Sequence, residues 1–218
     1  AMVRLLLEKS DCNLVGPDGF TALHMAVQQG HVNIIKILSK APKINLNARN
    51  SYGETILHIA IEKMDTLNAV LAIEGIEVDA LQSQFKFTAL HKASALNDFE
   101  AVKALLLKGA RFDIESQGLQ AIDLANPRSE NGQKIIKLLK ANQRLADVKR
   151  QVIQLLNDQE IDTKNINFAL SKYGEKTGII VVLSSDLPNG QTIKQQITFA
   201  PECDVLEVAG KENLPSLF

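Results

Sequence analysis

Apolar residues recur along the first two thirds of the chain at the spacing of helices, and they recur in phase. The stretch "TALHMA" at 21–26 returns as "TILHIA" at 55–60, as "TALHKA" at 88–93 and in altered form as "QAIDLA" at 120–125. Taking Thr21, Thr55, Thr88 and Gln120 as equivalent gives steps of 34, 33 and 32 residues. A fixed period of this length predicts stacked units that share one continuous core. Within each unit the hexapeptide opens a first helix, and a second follows in "HVNIIKILSK", "DTLNAVLAI", "DFEAVKALLLKGA" and "GQKIIKLLK". Gly30 and Asn97 stand at the break between the two helices, where a left-handed backbone is often needed, and Met64 is read at that place in the second unit. The stretches "NLVGPDGF", "NARNSYGE" and "IESQGLQ" between units have the composition of tight turns, whereas their third equivalent, "ALQSQFKF", lacks the glycine.

After Lys140 the period is lost. In "RLADVKRQVIQLLND" the residues Leu145, Val148, Val152, Leu155 and Leu156 fall on one face, which predicts a separate amphipathic helix that packs on the fourth unit as a cap. Next, "NINFALSKYG" suggests a short helix, and "TGIIVVLSS" and "QTIKQQITFA" predict a β-hairpin turning through "DLPNG" at Asn189-Gly190. The expected organisation is a mainly α repeat array over 1–140, then a capping helix and small α/β extension over 141–218. That extension reads either as a finished cap or as the first piece of a truncated domain. The start, "VRLLLEKSDCNL", reads as the second half of a unit, so the chain is expected to begin inside a longer array.

Composition changes the picture mainly by exclusion. A hydrophobic share of 45% is ordinary for a folded protein, and 24 basic against 25 acidic residues leave a net charge of −1. The strong positive field of a nucleic-acid or anionic-membrane binder is missing, so neither partner is expected. Cys12 and Cys203 match no metal or redox spacing and point to a reducing, cytoplasmic compartment. No P-loop, G-x-S-x-G, G-x-G-x-x-G or H-E-x-x-H occurs. His24, His58 and His91 lie in successive units on the order of 10 Å apart, too far to share a zinc held at about 2 Å. No catalytic residue, cofactor or metal is assigned.

The three hexapeptides in phase resemble the ankyrin repeat, whose pattern is a β-turn finger, T-P-L-H-x-A and a helix pair. The resemblance covers about residues 2–140. It departs at Ala22, Ile56 and Ala89, where the family usually has proline, and in the degenerate fourth unit with its "NPRSEN" at 126–131. It implies that His24, His58 and His91 are structural, bonding backbone groups at the turn and tying one finger to the next. Asp123 replaces the histidine in the fourth unit, where a carboxylate at a helix start accepts N–H bonds instead. The resemblance also marks Asn13 and Asn47, eight residues before their threonines, as positions where ankyrin proteins can be hydroxylated.

The implied function is a protein–protein interaction module that binds through its concave groove and finger tips, as a cytoplasmic scaffold or a host-directed bacterial effector. The other reading is a targeting arm of a larger enzyme whose catalytic domain begins in or follows the extension. The phase nominates a binding face. Phe20, Glu54, Phe87 and Leu119 precede the threonine positions at the finger bases, where the family is usually polar. Tyr52 and Phe85 lie two residues further out. Met25, Gln28, Gln29, Ile59, Glu62, Lys63 and Lys92 are read as the groove floor on the first helices.

Overall fold

A threonine in extended backbone starts each first helix. Thr21, Thr55 and Thr88 have φ of −81, −89 and −82°. The hydroxyls of Thr21 and Thr88 accept the backbone N–H of His24 and His91 at 3.4 Å, satisfying donors that a first helical turn otherwise leaves unpaired. The computed structural model describes residues 11–158, 166–173, 176–186 and 192–199. Contacts divide the chain into Ala1–Gln143 and Arg144–Phe218.

In the first unit of that division the helices come in pairs: α1 (Ala22–Gln29) with α2 (Val32–Leu38), α3 (Ile56–Ala60) with α4 (Met64–Leu71), and α5 (Ala89–Ala95) with α6 (Phe99–Leu107). First helices stack on first helices and second on second, which makes one core run the length of the array. Leu23, Leu57 and Leu90, two residues after their threonines, are completely buried. Ala26, Ala60, Ala93 and Ala125, five after the threonine position, are buried as well, and side chains this small let neighbouring helices approach closely. In the fourth repeat the first helix shrinks to a 3-10 turn, Ala121–Leu124. Pro127 disfavours helical backbone at the residue before it, so the turn has no room to grow.

Gly30 and Asn97 close their breaks in left-handed backbone, at φ of 81 and 56°. Met64 does not do the same, contrary to the sequence phase. It is the first residue of α4, and its cap Lys63 is extended at φ −140°. The second repeat reaches its second helix nine residues after its threonine, against eleven in the first and third, because α3 is the shortest of the first helices, and its break needs no left-handed residue. Lys63 Nζ instead donates to the Gln28 carbonyl at 2.9 Å, tying this break to the preceding repeat.

Two ladders join consecutive repeats outside the helices. At the finger tips, Gly19, Gly53 and Gly118 have φ of 72, 72 and 77°, and Lys86 takes the same place at 58°. The third finger therefore bends as the others do, but without glycine. Ser51 N donates to the Asp18 carbonyl at 2.8 Å, and Ser116 Oγ to the Phe85 carbonyl at 2.8 Å. On the loops that lead into the fingers, Asn13 Nδ2 donates to the Lys43 carbonyl at 2.8 Å and Asn13 Oδ1 accepts Asn45 N at 2.7 Å. Asn47 repeats this with the Gly75 carbonyl at 2.9 Å and Glu77 N at 2.9 Å. Both asparagine amides are thus engaged between repeats.

The helix that opens the last segment, α7 (Glu130–Asp158), is one continuous element. The separate capping helix expected from the loss of period is its continuation, because Lys140 to Arg144 holds no glycine or proline to end a helix. The side chains of Leu145, Val148, Val152, Leu155 and Leu156 lie outside the described residues. A sheet in the order β1 (Ile166–Tyr173), β2 (Lys176–Asp186) and β3 (Thr192–Phe199) follows, antiparallel throughout. The expected hairpin corresponds to β2 and β3, while its Asn189-Gly190 turn lies outside the described residues. β1 replaces the short helix read at "NINFALSKYG". In that stretch Ile166, Phe168 and Leu170 alternate with smaller or polar residues, and a period of two wins over helical propensity. The register aligns Phe168, Val181 and Ile197 across the sheet.

The finger geometry makes a stability prediction. Lys86→Gly relieves a left-handed lysine and is expected to raise unfolding free energy by roughly 0.5–1 kcal/mol after glycine's greater unfolded entropy is offset. A Cβ at Gly53 would fall on the side chain and backbone of Ser83, so Gly53→Ala should cost at least about 2 kcal/mol. Chemical denaturation of the two variants checks both signs.

Candidate protein-binding face

The three hexapeptide histidines are buried to 1% exposure or less, and their bonds fix their protons. Nδ1 of His24, His58 and His91 lies 2.8, 2.9 and 2.8 Å from the hydroxyl of its threonine. The backbone N–H of the same threonine approaches Nδ1 at 3.2, 3.3 and 3.3 Å. A backbone N–H only donates, so Nδ1 is the acceptor and the proton sits on Nε2. From there His58 donates to the Phe87 carbonyl at 3.0 Å and His91 to the Leu119 carbonyl at 3.3 Å. Each acceptor is the finger-base residue of the next repeat. His24 Nε2 is buried without a hydrogen-bond partner, although the nearby Glu54 and Ala48 carbonyls favour its charged form. In the fourth repeat Asp123 Oδ2 accepts Gln120 N at 2.8 Å.

Burial lowers the pKa of all three histidines below the ordinary 6.5, and the backbone carbonyls oppose it only in part. At His58 the Glu54 carboxylate also raises the value, while Lys92 and Arg49 lower it. Each ring is therefore held neutral, as a backbone donor to Nδ1 requires. Among the described residues no three His, Cys, Asp or Glu side chains are placed to hold a metal ion, and no helix is long and apolar enough to cross a membrane.

The finger-base aromatics pack on this histidine row. Phe20 meets the His24 ring edge-on at 5.7 Å, and Phe87 stacks flat on His91 at 5.3 Å with 2° between planes. Both are half-buried. Glu54 holds that place in the second repeat and instead accepts Lys92 Nζ at 3.3 Å, while Glu62 accepts the same ammonium at 3.5 Å. These ions are part-exposed, so the pairs add at most about 1 kcal/mol each.

Ile59 is not on the surface, contrary to its reading as groove floor. It is 9% exposed, because α3 is covered by first helices on both sides, whereas its equivalent Met25, at the end of the described stack, is 46% exposed. Gln28, Gln29, Glu62 and Lys63 are exposed and Lys92 is half-buried.

Tyr52 and Phe85 stand free of the core, 52% and 47% exposed, in equivalent places on adjacent fingers. Phe85 lies 6.1 Å from Phe87, and Leu81 and Leu119 add exposed apolar surface at 38% and 39%. Asn50 presents Tyr52: it is buried, and its Oδ1 accepts Tyr52 N at 3.0 Å and Glu54 N at 2.8 Å. Arg49 bridges two fingers, donating to the Gly53 carbonyl at 3.2 Å and to the Leu81 carbonyl. Sequence reasoning missed Arg49, Asn50 and Leu81. An Asn three residues before Gly was a turn signal that would have found Asn50.

Stacked helix pairs with projecting fingers, joined by ring-to-carbonyl bonds, define a repeat scaffold. Residues 1–80 match the family model for ankyrin repeats in three copies, and residues 85–119 match that for an ankyrin repeat. Together these cover more than half of the chain, which belongs to the ankyrin-repeat family, a family of protein–protein interaction modules. It is similar to an ankyrin repeat protein of Acanthamoeba polyphaga mimivirus, 30% identical over 111 residues, covering 50% of this chain and 14% of that protein. A BTB/POZ domain-containing protein 1 of Schizosaccharomyces pombe is 35% identical over 72 residues, 32% of this chain and 5% of the relative. The neurogenic locus notch homolog protein 1 of Homo sapiens is 32% identical over 124 residues, 53% of this chain and 4% of the relative. The chain thus spans a small fraction of each of these relatives.

Two predictions concern the histidine row. His58→Ala removes the bond to the next repeat and should cost roughly 1–2 kcal/mol in chemical denaturation. The lowered pKa values set the sign of the pH effect: below 6.5 the unfolded chain binds protons that the folded chain refuses. Stability should be full above that value and fall as pH drops from it toward the folded pKa values. Denaturation across the range checks this, with a shallower fall expected for His58→Ala.

Proposed function

We propose that the chain binds a partner protein across the fingers and first helices, with Tyr52 and Phe85 as its anchors. The observation that carries this reading is their pairing: two aromatic rings, each about half exposed, in equivalent places on adjacent fingers. Large rings presented on a rigid backbone lose little entropy on burial and are favoured as interface hot spots. The proposed face also takes in Met25, Gln28, Glu54, Glu62 and Lys92, with Phe20 and Phe87 as half-buried supports. The same face serves a cytoplasmic scaffold or a host-directed effector equally well. A second reading, a targeting arm of a larger enzyme, draws support from how small a part of its relatives the chain spans.

Tyr52→Ala with Phe85→Ala should lose more than about 2 kcal/mol of affinity, roughly thirtyfold, and abolish recovery of partners from lysate. Its helical circular dichroism should be unchanged. Lys36→Ala with Lys103→Ala, both exposed on the second helices, should have no comparable effect. The opposite pattern would place the contact surface elsewhere.

A further inference from the structure

Charge on the proposed face is uneven in a way that indicates what it takes. Three of its cations have no carboxylate partner among the described residues. Lys63 Nζ bonds the Gln28 carbonyl, Arg49 bonds the carbonyls of Gly53 and Leu81, and Lys86 is exposed beside Phe85. Lys92 alone is paired, to Glu54 and Glu62. Across the second and third repeats this face therefore holds four cations against two carboxylates, on a chain whose net charge is −1. Acidic residues stand to either side, Asp18 on the first finger and Glu115 beside the fourth. The positive surface is thus carried by the second and third repeats, with Arg49 and Lys86 on the fingers that bear Tyr52 and Phe85, Lys92 on α5 and Lys63 at the break after α3.

A cation whose donors meet only neutral carbonyls keeps its full charge available to a ligand, and rings beside it supply the apolar contact. We propose that these two fingers and the break after α3 bind an acidic linear segment of another protein, whose two large apolar side chains dock on Tyr52 and Phe85 while its carboxylates meet Arg49 and Lys86 on the fingers and Lys63 at the break. This rests on the binding face proposed above. Neighbouring repeats are set about 8–10 Å apart by helix packing, which gives the spacing of the two anchors. Basic segments are disfavoured by the excess of like charge, and the acidic flanks limit the ligand's charged part to about two repeat widths.

The test is selection of a random-peptide phage library on the immobilised full chain, followed by fluorescence anisotropy of the enriched peptides. Enriched peptides should be net negative with two large apolar residues, and their binding should weaken as salt is raised to about 0.5 M. Lys63→Glu with Lys86→Glu should weaken it by at least about tenfold, with circular dichroism unchanged. Should that pair fail to fold, Lys86→Gln alone should still weaken binding several-fold. Neutral or basic enriched peptides, enrichment of none, or indifference to the lysine changes would each overturn the proposal. If the lysine changes do nothing while Tyr52→Ala with Phe85→Ala abolishes binding, the face stands and only the acidic ligand falls. If neither pair matters, the face falls too.

Discussion

The array depends on a bond from a buried ring to the backbone of the next repeat. One repeat buries one side of a helix pair and leaves the other without a core, so its stability comes from its neighbours. The Nε2–H bonds of His58 and His91 to the Phe87 and Leu119 carbonyls turn that general need into a fixed geometry. The same ring closes the helix start through Nδ1. One side chain thus couples the beginning of a helix to the position of the following finger. Where the ring is absent, in the fourth repeat, Asp123 reaches only its own turn, and the first helix there is reduced to a 3-10 turn.

The coupling explains why the fingers are rigid enough to present aromatic rings. The carbonyl that accepts from His58 belongs to Phe87, whose own ring stacks on His91. Backbone and ring of one residue are held by two successive histidines. Two residues away, Phe85 uses its carbonyl to hold Ser116 of the next finger, leaving its ring in solvent. The asparagine ladder on the opposite loops fixes the other end of each repeat. Exposure of Tyr52 and Phe85 therefore follows from backbone held at both ends, with no core within their reach.

Much of this was legible in the sequence because equivalent residues in a repeat share a backbone. The threonine starts, the buried leucines and the finger positions all follow from counting. Counting failed where a repeat changed its length internally. Met64 lies nine residues after Thr55, as Gly30 lies nine after Thr21, yet the shorter first helix of its repeat lets the second begin there. The burial of Ile59 was hidden for a related reason, since phase gives the direction of a side chain but not what covers it. Met25 at the same phase is exposed only because it lies at the end of the described stack. Loss of period after Lys140 marked a change of packing environment and was read as a change of element, although the helix ran on through it.

The finger aromatics divide by position rather than by type. One residue before the threonine, a ring lies over the histidine and is drawn into the structure, as Phe20 and Phe87 are. Three residues before it, beyond the left-handed residue, the chain has reversed and a ring stays outside the core, Phe85 meeting only the ring of Phe87. Sequence change at the first place disturbs the histidine row and the stability of the array. At the second it alters only what the surface offers. A repeat built this way can change its ligand without changing its fold, and Tyr52, Phe85 and the neighbouring Lys86 occupy the part that is free to vary.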